Sequence, residues 1–260
     1  MALTSNRILA LGFASALAAF TVAVIADNGF ADDHNAVSDR EFGERVRQFL
    51  MNNPEVIVEA YKAYQDKVNL EQAQLQNQAV IANREQLIND PHAPVAGNPN
   101  APVTLVEFFD YRCGYCKKIL GTMMNYVGHD SNVRVVFKEF PILDGESPGP
   151  SEFASRAALA SLNQDESKYL AYHNALMTAR GGLTLQSILA MGEEVGLDPK
   201  QLQADMNSPA ITEMIRRNRE LAQKLRISGT PTLVIGDEVL RGAQPPERIQ
   251  QAIADAMSAS

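Results

Sequence analysis

The chain holds two cysteines, and both lie in one motif, Cys113-Gly114-Tyr115-Cys116. Before the motif, residues 103–109 form an apolar run rich in β-branched and aromatic side chains, as a strand requires. After it, Ile119, Leu120, Met123, Met124 and Val127 recur at helical spacing. A strand that runs through Cys-x-x-Cys into a helix places the first sulfur at a helix N-terminus, where free N–H groups and the helix dipole stabilise an anion. Such sites lower a cysteine pKa from about 8.5 to between about 3.5 and 7.5. The thiolate is the nucleophile of disulfide exchange. Cys113 is therefore expected to attack, with first-turn N–H groups as partners of its sulfur. Cys116, one turn further in and more buried, is expected to resolve the mixed disulfide. A structural disulfide explains the pair less well, because closing so small a loop adds little stability. A structural zinc site needs four ligands, and His34, His92, His129 and His173 form no spaced pair. No metal and no cofactor is expected.

Three further places carry candidate chemistry. Glu107 interrupts the apolar strand six positions before Cys113. In a central parallel strand it is buried, its pKa is raised, and it can relay a proton to or from Cys116. The alternative is a sheet-edge glutamate that reaches water. Lys138 and Glu139 end the next strand and either lie near Glu107 or form a solvated strand end, the latter slightly favoured. Gly229-Thr230-Pro231 precedes a later strand, where a proline that cannot donate to the ladder belongs. A cis bond at Thr230-Pro231 would expose the Thr230 backbone to an extended substrate; a trans proline in an ordinary turn is the more frequent case.

These groups need a scaffold, and the pattern supplies one. Residues 103–109, the helix after the cysteines and a strand over 133–137 make a βαβ unit with parallel strands. Helices are expected over 153–162, 169–179, 185–195, 199–206 and 211–225, punctuated by Gly181-Gly182, Gly196 and Pro209. Residues 232–235 and 238–240 flank Gly236-Asp237 as a hairpin, and Pro245-Pro246 opens a last helix. The expected fold class is α/β, with a catalytic domain over 91–260 that carries a helical insertion at about 149–226.

The first 90 residues read differently. Arg7 is the only charge before Asp27, and residues 8–26 are uncharged and apolar. This is the pattern of a secretory signal over 1–26, cleaved after Ala26 or as late as Ala31. A retained membrane anchor is the alternative. Residues 32–90 are expected to form a helical arm. Ser38 and Glu41 suggest a capping box, followed by Phe42, Val46, Phe49 and Leu50 at helical spacing. Asn52-Asn53-Pro54 breaks this helix, with Asn53 expected to cap the next. Tyr61, Tyr64, Val68, Leu75 and Ala82 then form a thin heptad seam. Self-association along that seam competes with a solvated linker helix or packing on the chain's own domain. Residues 91–102, rich in Pro, Gly and Asn, read as the hinge between arm and catalytic domain. A net charge of −8 argues against a nucleic-acid partner.

The run Val106-Glu107-Phe108-Phe109-Asp110-Tyr111 into Cys-Gly-Tyr-Cys-Lys-Lys resembles the DsbA family of thioredoxin-fold proteins. So do Lys138-Glu139-Phe140-Pro141-Ile142-Leu143 and Gly229-Thr230-Pro231-Thr232. The resemblance covers residues 102–260 and implies a thioredoxin fold, a cis Pro231, Thr230 beside the cysteines and a buried Glu107. Residues 44–64, with their Asn-Pro-Glu-Val-Ile-Val-Glu-Ala core, are similar to the ScsC-like members, which implies a homo-oligomer, a trimer favoured. The Gly-Tyr pair between the cysteines equals that of the dimeric isomerase DsbC and differs from the Pro-His of the oxidase DsbA.

Together these readings imply a periplasmic disulfide isomerase or reductase. Cys113, Cys116 and Glu107 carry the chemistry; Thr230 and Pro231 contact the substrate. Its partners would be misdisulfided or unfolded proteins and a membrane redox protein. A dithiol oxidase and a copper-binding or copper-tolerance protein are the alternatives, since thiolates suit Cu(I).

Overall fold

The computed structural model describes residues 38–259 except 131 and 146. The expected signal segment lies outside the described residues. Among those described, no helix is long and apolar enough to cross a membrane. The chain divides into two units, one reaching Ala60 and the other starting at Tyr61.

The first unit holds α1 (Asp39–Asn52) and the start of α2 (Glu55–Ala82). Ser38 caps α1 as its position suggests: its hydroxyl accepts the Glu41 N–H at 3.3 Å. Asn53 acts otherwise than expected. Its amide donates to the Phe49 carbonyl at 2.8 Å and closes the end of α1, instead of capping α2. An asparagine can serve either neighbouring helix, and the orphan carbonyls of the preceding one captured it. Phe42, Phe49, Met51, Ile57 and Val58 are exposed.

The second unit is built on a five-stranded sheet: β1 (Val95–Gly97), β2 (Val103–Phe109), β3 (Val133–Glu139), β4 (Thr232–Ile235) and β5 (Glu238–Arg241). The order is β1-β3-β2-β4-β5. Helix α3 (Arg84–Ile88) precedes β1. β2 and β3 run parallel, joined by the crossover helix α4 (Gly114–His129); the other pairings are antiparallel. Between β3 and β4 come α5 (Pro150–Ser161), α6 (Tyr169–Thr178), α7 (Leu185–Glu194), α8 (Pro199–Asp205) and α9 (Pro209–Lys224); α10 (Pro246–Ser258) ends the fold. These helices stand where the apolar periodicity puts them, to within a few residues.

The sheet is covered on both faces, which is why β2 and β3 are apolar nearly throughout. One face turns Leu105, Phe109, Val135, Phe137 and Leu233 into the core shared with α4, α10 and the helical insertion. The other packs Val106, Phe108, Val136 and Val234 against Val80, Leu87, Leu221 and Leu225. Each such side chain contributes about 1.5–3 kcal/mol by leaving water. The end of α2 and α3 thus belong to the sheet-bearing unit. Gln76 adds a hydrogen bond to the Leu225 carbonyl at 2.8 Å.

The expected hinge over 91–102 contains a strand. Val95, Ala96 and Gly97 pair with Val136, Val135 and Arg134. Three residues between prolines give no alternation to read, so the sequence resembles a loop. Gly97 has φ +88°, and a Cβ there would sit 2.8 Å from the Val133 carbonyl oxygen. The glycine permits that close approach.

Candidate active site

Cys113 is the N-cap of α4. Its N–H donates to the Asp110 carbonyl at 3.0 Å, and its own carbonyl accepts from Lys117 N–H at 3.1 Å. The sulfur makes no bond to first-turn N–H groups. It donates to the Thr230 carbonyl at 3.2 Å instead. Only a protonated sulfur can donate there, so this is the contact of the dithiol form. Both cysteines are free. The Thr230–Pro231 peptide bond is cis. Cys113 is 7% exposed and Cys116 1%. Both cysteines are thus buried, Cys113 less completely than Cys116. Burial pushes the Cys116 thiol pKa well up; a hydrogen bond from the Asp110 backbone opposes this, and Glu107 and Cys113 reinforce it.

Glu107 stands mid-strand in β2, paired with Phe137 on one side and Leu233 on the other. It is 2% exposed. Burial alone raises its pKa to about 8. The sheet-edge alternative is excluded by this position. A carboxyl that holds its proton near neutral pH, close enough to Cys116 to affect that thiol, has the properties a proton relay needs.

Lys138 and Glu139 are both fully buried, which overturns the solvated strand end. Strand alternation separates them. Lys138 lies on the face away from Glu107 and pairs with Asp90 at 2.7 Å. Burial lowers its pKa, opposed by the Asp90 contact. Glu139 shares the face of Glu107. Its Oε1 accepts from the Tyr111 phenol at 3.0 Å and the Tyr169 phenol at 3.1 Å.

Sequence reading passed over two aspartates that shape the rim. The buried carboxylate of Asp110 accepts from Arg112 N–H at 2.8 Å, Ile142 N–H at 2.9 Å, Leu143 N–H at 3.1 Å and the Ser151 hydroxyl at 2.8 Å. Asp144 accepts the N–H groups of Gly149, Ser151 and Glu152 at 2.7–3.0 Å and meets Arg112 at 3.1 Å. These bonds hold Cys113's own loop against the start of α5. Ile142, Leu143 and Ser151 lie 32 to 41 positions from Asp110, and Arg112 lies 32 positions from Asp144, so local spacing does not announce these links. Three or more metal-ligating side chains do not cluster among the described residues.

The model described as a DSBA-like thioredoxin domain matches residues 104–254, and that of the copper resistance protein ScsC N-terminal domain matches residues 40–68. A thioredoxin-like oxidoreductase from Silicibacter pomeroyi is 44% identical, with TM-score 0.64 over 68% of this chain and 99% of that one. Proteus mirabilis ScsC in a transitional conformation is 31% identical, with TM-score 0.64 over 87% of this chain and 100% of that one. Among curated proteins, the Na(+)/H(+) antiporter NhaA of Herminiimonas arsenicoxydans is 29% identical over 57% of this chain and 23% of its own length. The chain spans about a quarter of the length of the first curated relatives it matches.

Proposed function

Because the chain belongs to the DSBA-like thioredoxin domain family of thiol–disulfide oxidoreductases, we propose that it isomerises disulfides of exported proteins in the periplasm. The observation that carries this reading is the unequal cysteine pair at the head of α4: Cys113 is the less completely buried and meets the Thr230 carbonyl, while Cys116 is enclosed and its thiol pKa is pushed up by burial, with Glu107 reinforcing the shift.

The Cys113 thiolate attacks one sulfur of a client disulfide. A Cys113–client bond forms, the client bond breaks, and the client's other sulfur leaves as thiolate. A second client thiolate then attacks the client sulfur of the mixed disulfide. It forms a new client pairing and returns Cys113 as thiolate, with no net oxidation. If no client thiol arrives, Cys116 attacks Cys113 and breaks its bond to the client; the Cys116 proton passes to solvent by way of Glu107, or to Glu107 itself in the fraction that is ionised. The client leaves reduced and the protein leaves as the Cys113–Cys116 disulfide, which a membrane redox partner must reduce. Thr230 and Pro231 form the backbone rim against which the client lies.

The ScsC-type match over residues 40–68 and the exposed apolar side chains of that segment support self-association, with a trimer as the favoured state. Several Cys113 sites on one assembly raise the effective concentration of attacking sulfur at one client. The apolar N-terminal pattern supports export.

Recovery of activity by scrambled ribonuclease tests the reading. It is expected with the wild-type chain and absent with Cys113→Ala; full recovery with that variant defeats the proposal. A strongly oxidising reduction potential would instead indicate a dithiol oxidase. Copper is the other competing reading: two sulfurs suit Cu(I), but the described residues bring no larger ligand cluster to them. Tight stoichiometric copper binding lost in Cys116→Ser, without exchange activity, would replace the isomerase with a copper protein.

A further inference from the structure

Glu139 has no part in the mechanism above, yet it is a carboxyl placed in the core beside the active-site loop. Its surroundings come from five elements, of which the paired strand β2 places the titratable Glu107 on the same face of the sheet. The loop before α4 contributes Tyr111 and, at longer range, the charge of Asp110; α6 contributes Tyr169 and His173; α5 contributes Ser155. From α9, Asn218 donates to the Glu139 backbone carbonyl at 3.0 Å. Among the described residues no cation lies within ion-pair distance of the carboxyl, because Lys138 turns to the other face of the sheet and pairs with Asp90.

Proton counting constrains this group. The Tyr111 phenol has one proton, directed to Glu139 Oε1 at 3.0 Å. Its 3.1 Å contact with His173 Nδ1 therefore needs the proton of the histidine at Nδ1. Nε2 is then a bare acceptor, and it has no partner. Burial drives the His173 pKa down to about 3, so the ring is neutral and supplies no counter-charge. Glu139 Oε2 and Ser155 Oγ also lack hydrogen-bond partners. Burial raises the Glu139 pKa to about 8, opposed by the bonded phenols of Tyr111 and Tyr169 and by the nearby Ser155 hydroxyl, which forms no hydrogen bond of proper geometry. The carboxyl thus changes charge just above neutral pH.

The cluster is tied to the loop that carries the sulfurs. Tyr111 lies two positions before Cys113 in the loop, the Cys113 N–H is bonded to the Asp110 carbonyl at 3.0 Å, and the Asp110 backbone also bonds Cys116. We propose that Glu139 is a positioning residue for the exchange reaction: through Tyr111 it holds the loop that carries both cysteines, and its charge sets the balance between their dithiol and disulfide forms. The inference rests on exchange at Cys113–Cys116, not on isomerisation in particular. An ionised Glu139 would disfavour negative charge on the sulfurs of the loop it holds, and so disfavour the reduced pair whenever a thiolate is present.

The test is the equilibrium of the full chain with reduced and oxidised glutathione, read as the dithiol-to-disulfide ratio for wild type and Glu139→Gln from pH 6 to pH 9. Protein dithiol and glutathione disulfide exchange to protein disulfide and two glutathione thiols, so the glutathione contribution cancels between the variants at each pH. The two proteins are expected to agree within about twofold at pH 6, where Glu139 is neutral. At pH 9 the variant should favour its dithiol form by about threefold or more over wild type. Tyr111→Phe keeps the ring but removes the hydroxyl link, and should itself shift the ratio; it also serves if Glu139→Gln does not fold. A wild-type to variant ratio that stays constant over this pH range, or Tyr111→Phe indistinguishable from wild type, overturns the inference. If wild type equilibrates with glutathione in that case, the exchange activity survives without it; if wild type fails to react, both fall together.

Discussion

The sulfur of Cys113 and the carbonyl oxygen of Thr230, 117 positions apart in the chain, lie 3.2 Å from each other. The head of α4 is thereby set against the entry to β4, with the second sulfur one helical turn behind. On the proposed reading, a client that reaches Cys113 would meet the Thr230 backbone at the same place. Because Cys116 is shielded, only Cys113 should trap a client. Cys116→Ser is expected to accumulate a client-linked mixed disulfide, seen as a shifted band on a non-reducing gel, and Cys113→Ser to give none. Equal trapping by both variants would contradict the division of labour between the sulfurs.

Glu107 should leave a mark on both rate and stability. With the proton acceptor gone, Glu107→Gln is expected to slow Cys116-dependent release by on the order of 100-fold. The stability effect has a definite sign. From the ordinary value of 4.5 up to about 8, the folded chain keeps a proton that the unfolded chain has lost. Folding is therefore favoured most at low pH within this window and loses support as pH rises through about 8. Between pH 5 and pH 9, wild type should lose on the order of 3–5 kcal/mol relative to Glu107→Gln. Urea melts at the two pH values check this; parallel losses in both proteins would remove the buried carboxyl from the account.

The Lys138–Asp90 pair predicts an asymmetry. Lys138 is buried whereas Asp90 is partly open to water. Asp90→Asn strands an ammonium in the core and should cost about 2–4 kcal/mol, somewhat less than a fully enclosed pair. Lys138→Met removes the charge with its desolvation cost and should change stability by about 1 kcal/mol or less. Thermal or urea denaturation of the two variants decides the point, and equal losses would argue against a desolvated lysine.

Self-association should depend on the apolar side chains of the first unit. Phe49→Glu together with Ile57→Glu is expected to give a monomer by light scattering and to reduce recovery of scrambled ribonuclease. Reaction of Cys113 with a small aromatic disulfide should remain within about twofold, since the sulfur pair lies in the other unit. An unchanged mass would remove these residues from the assembly surface.

Much of this architecture was legible from residue order. The apolar runs of β2 and β3 and the periodic helices of the insertion carry their burial pattern along the chain. The Gly236-Asp237 turn likewise announces its hairpin, with Ile235 paired to Glu238. Other features have no such local record. β1 is three residues long between prolines, and its identity comes from the β3 partner forty residues away. Asn53 had two helices to cap, and neither the residue nor its spacing states which. Lys138 and Glu139 looked like a strand end, because their partners Asp90, Tyr111 and Tyr169 come from three separate segments.

From the one-dimensional chain alone came the nucleophile candidate, its helix, the α/β class and the acidic interruption of the central strand. These depend on residue type and short periodicity, which neighbouring residues determine among themselves. The three-dimensional fold decided which strand faces received Lys138 and Glu139, which backbone carbonyl meets the Cys113 sulfur, and which loops the two rim aspartates bind. Those outcomes depend on contacts between segments far apart in the chain, and such contacts acquire their energies only when folding removes water from between them.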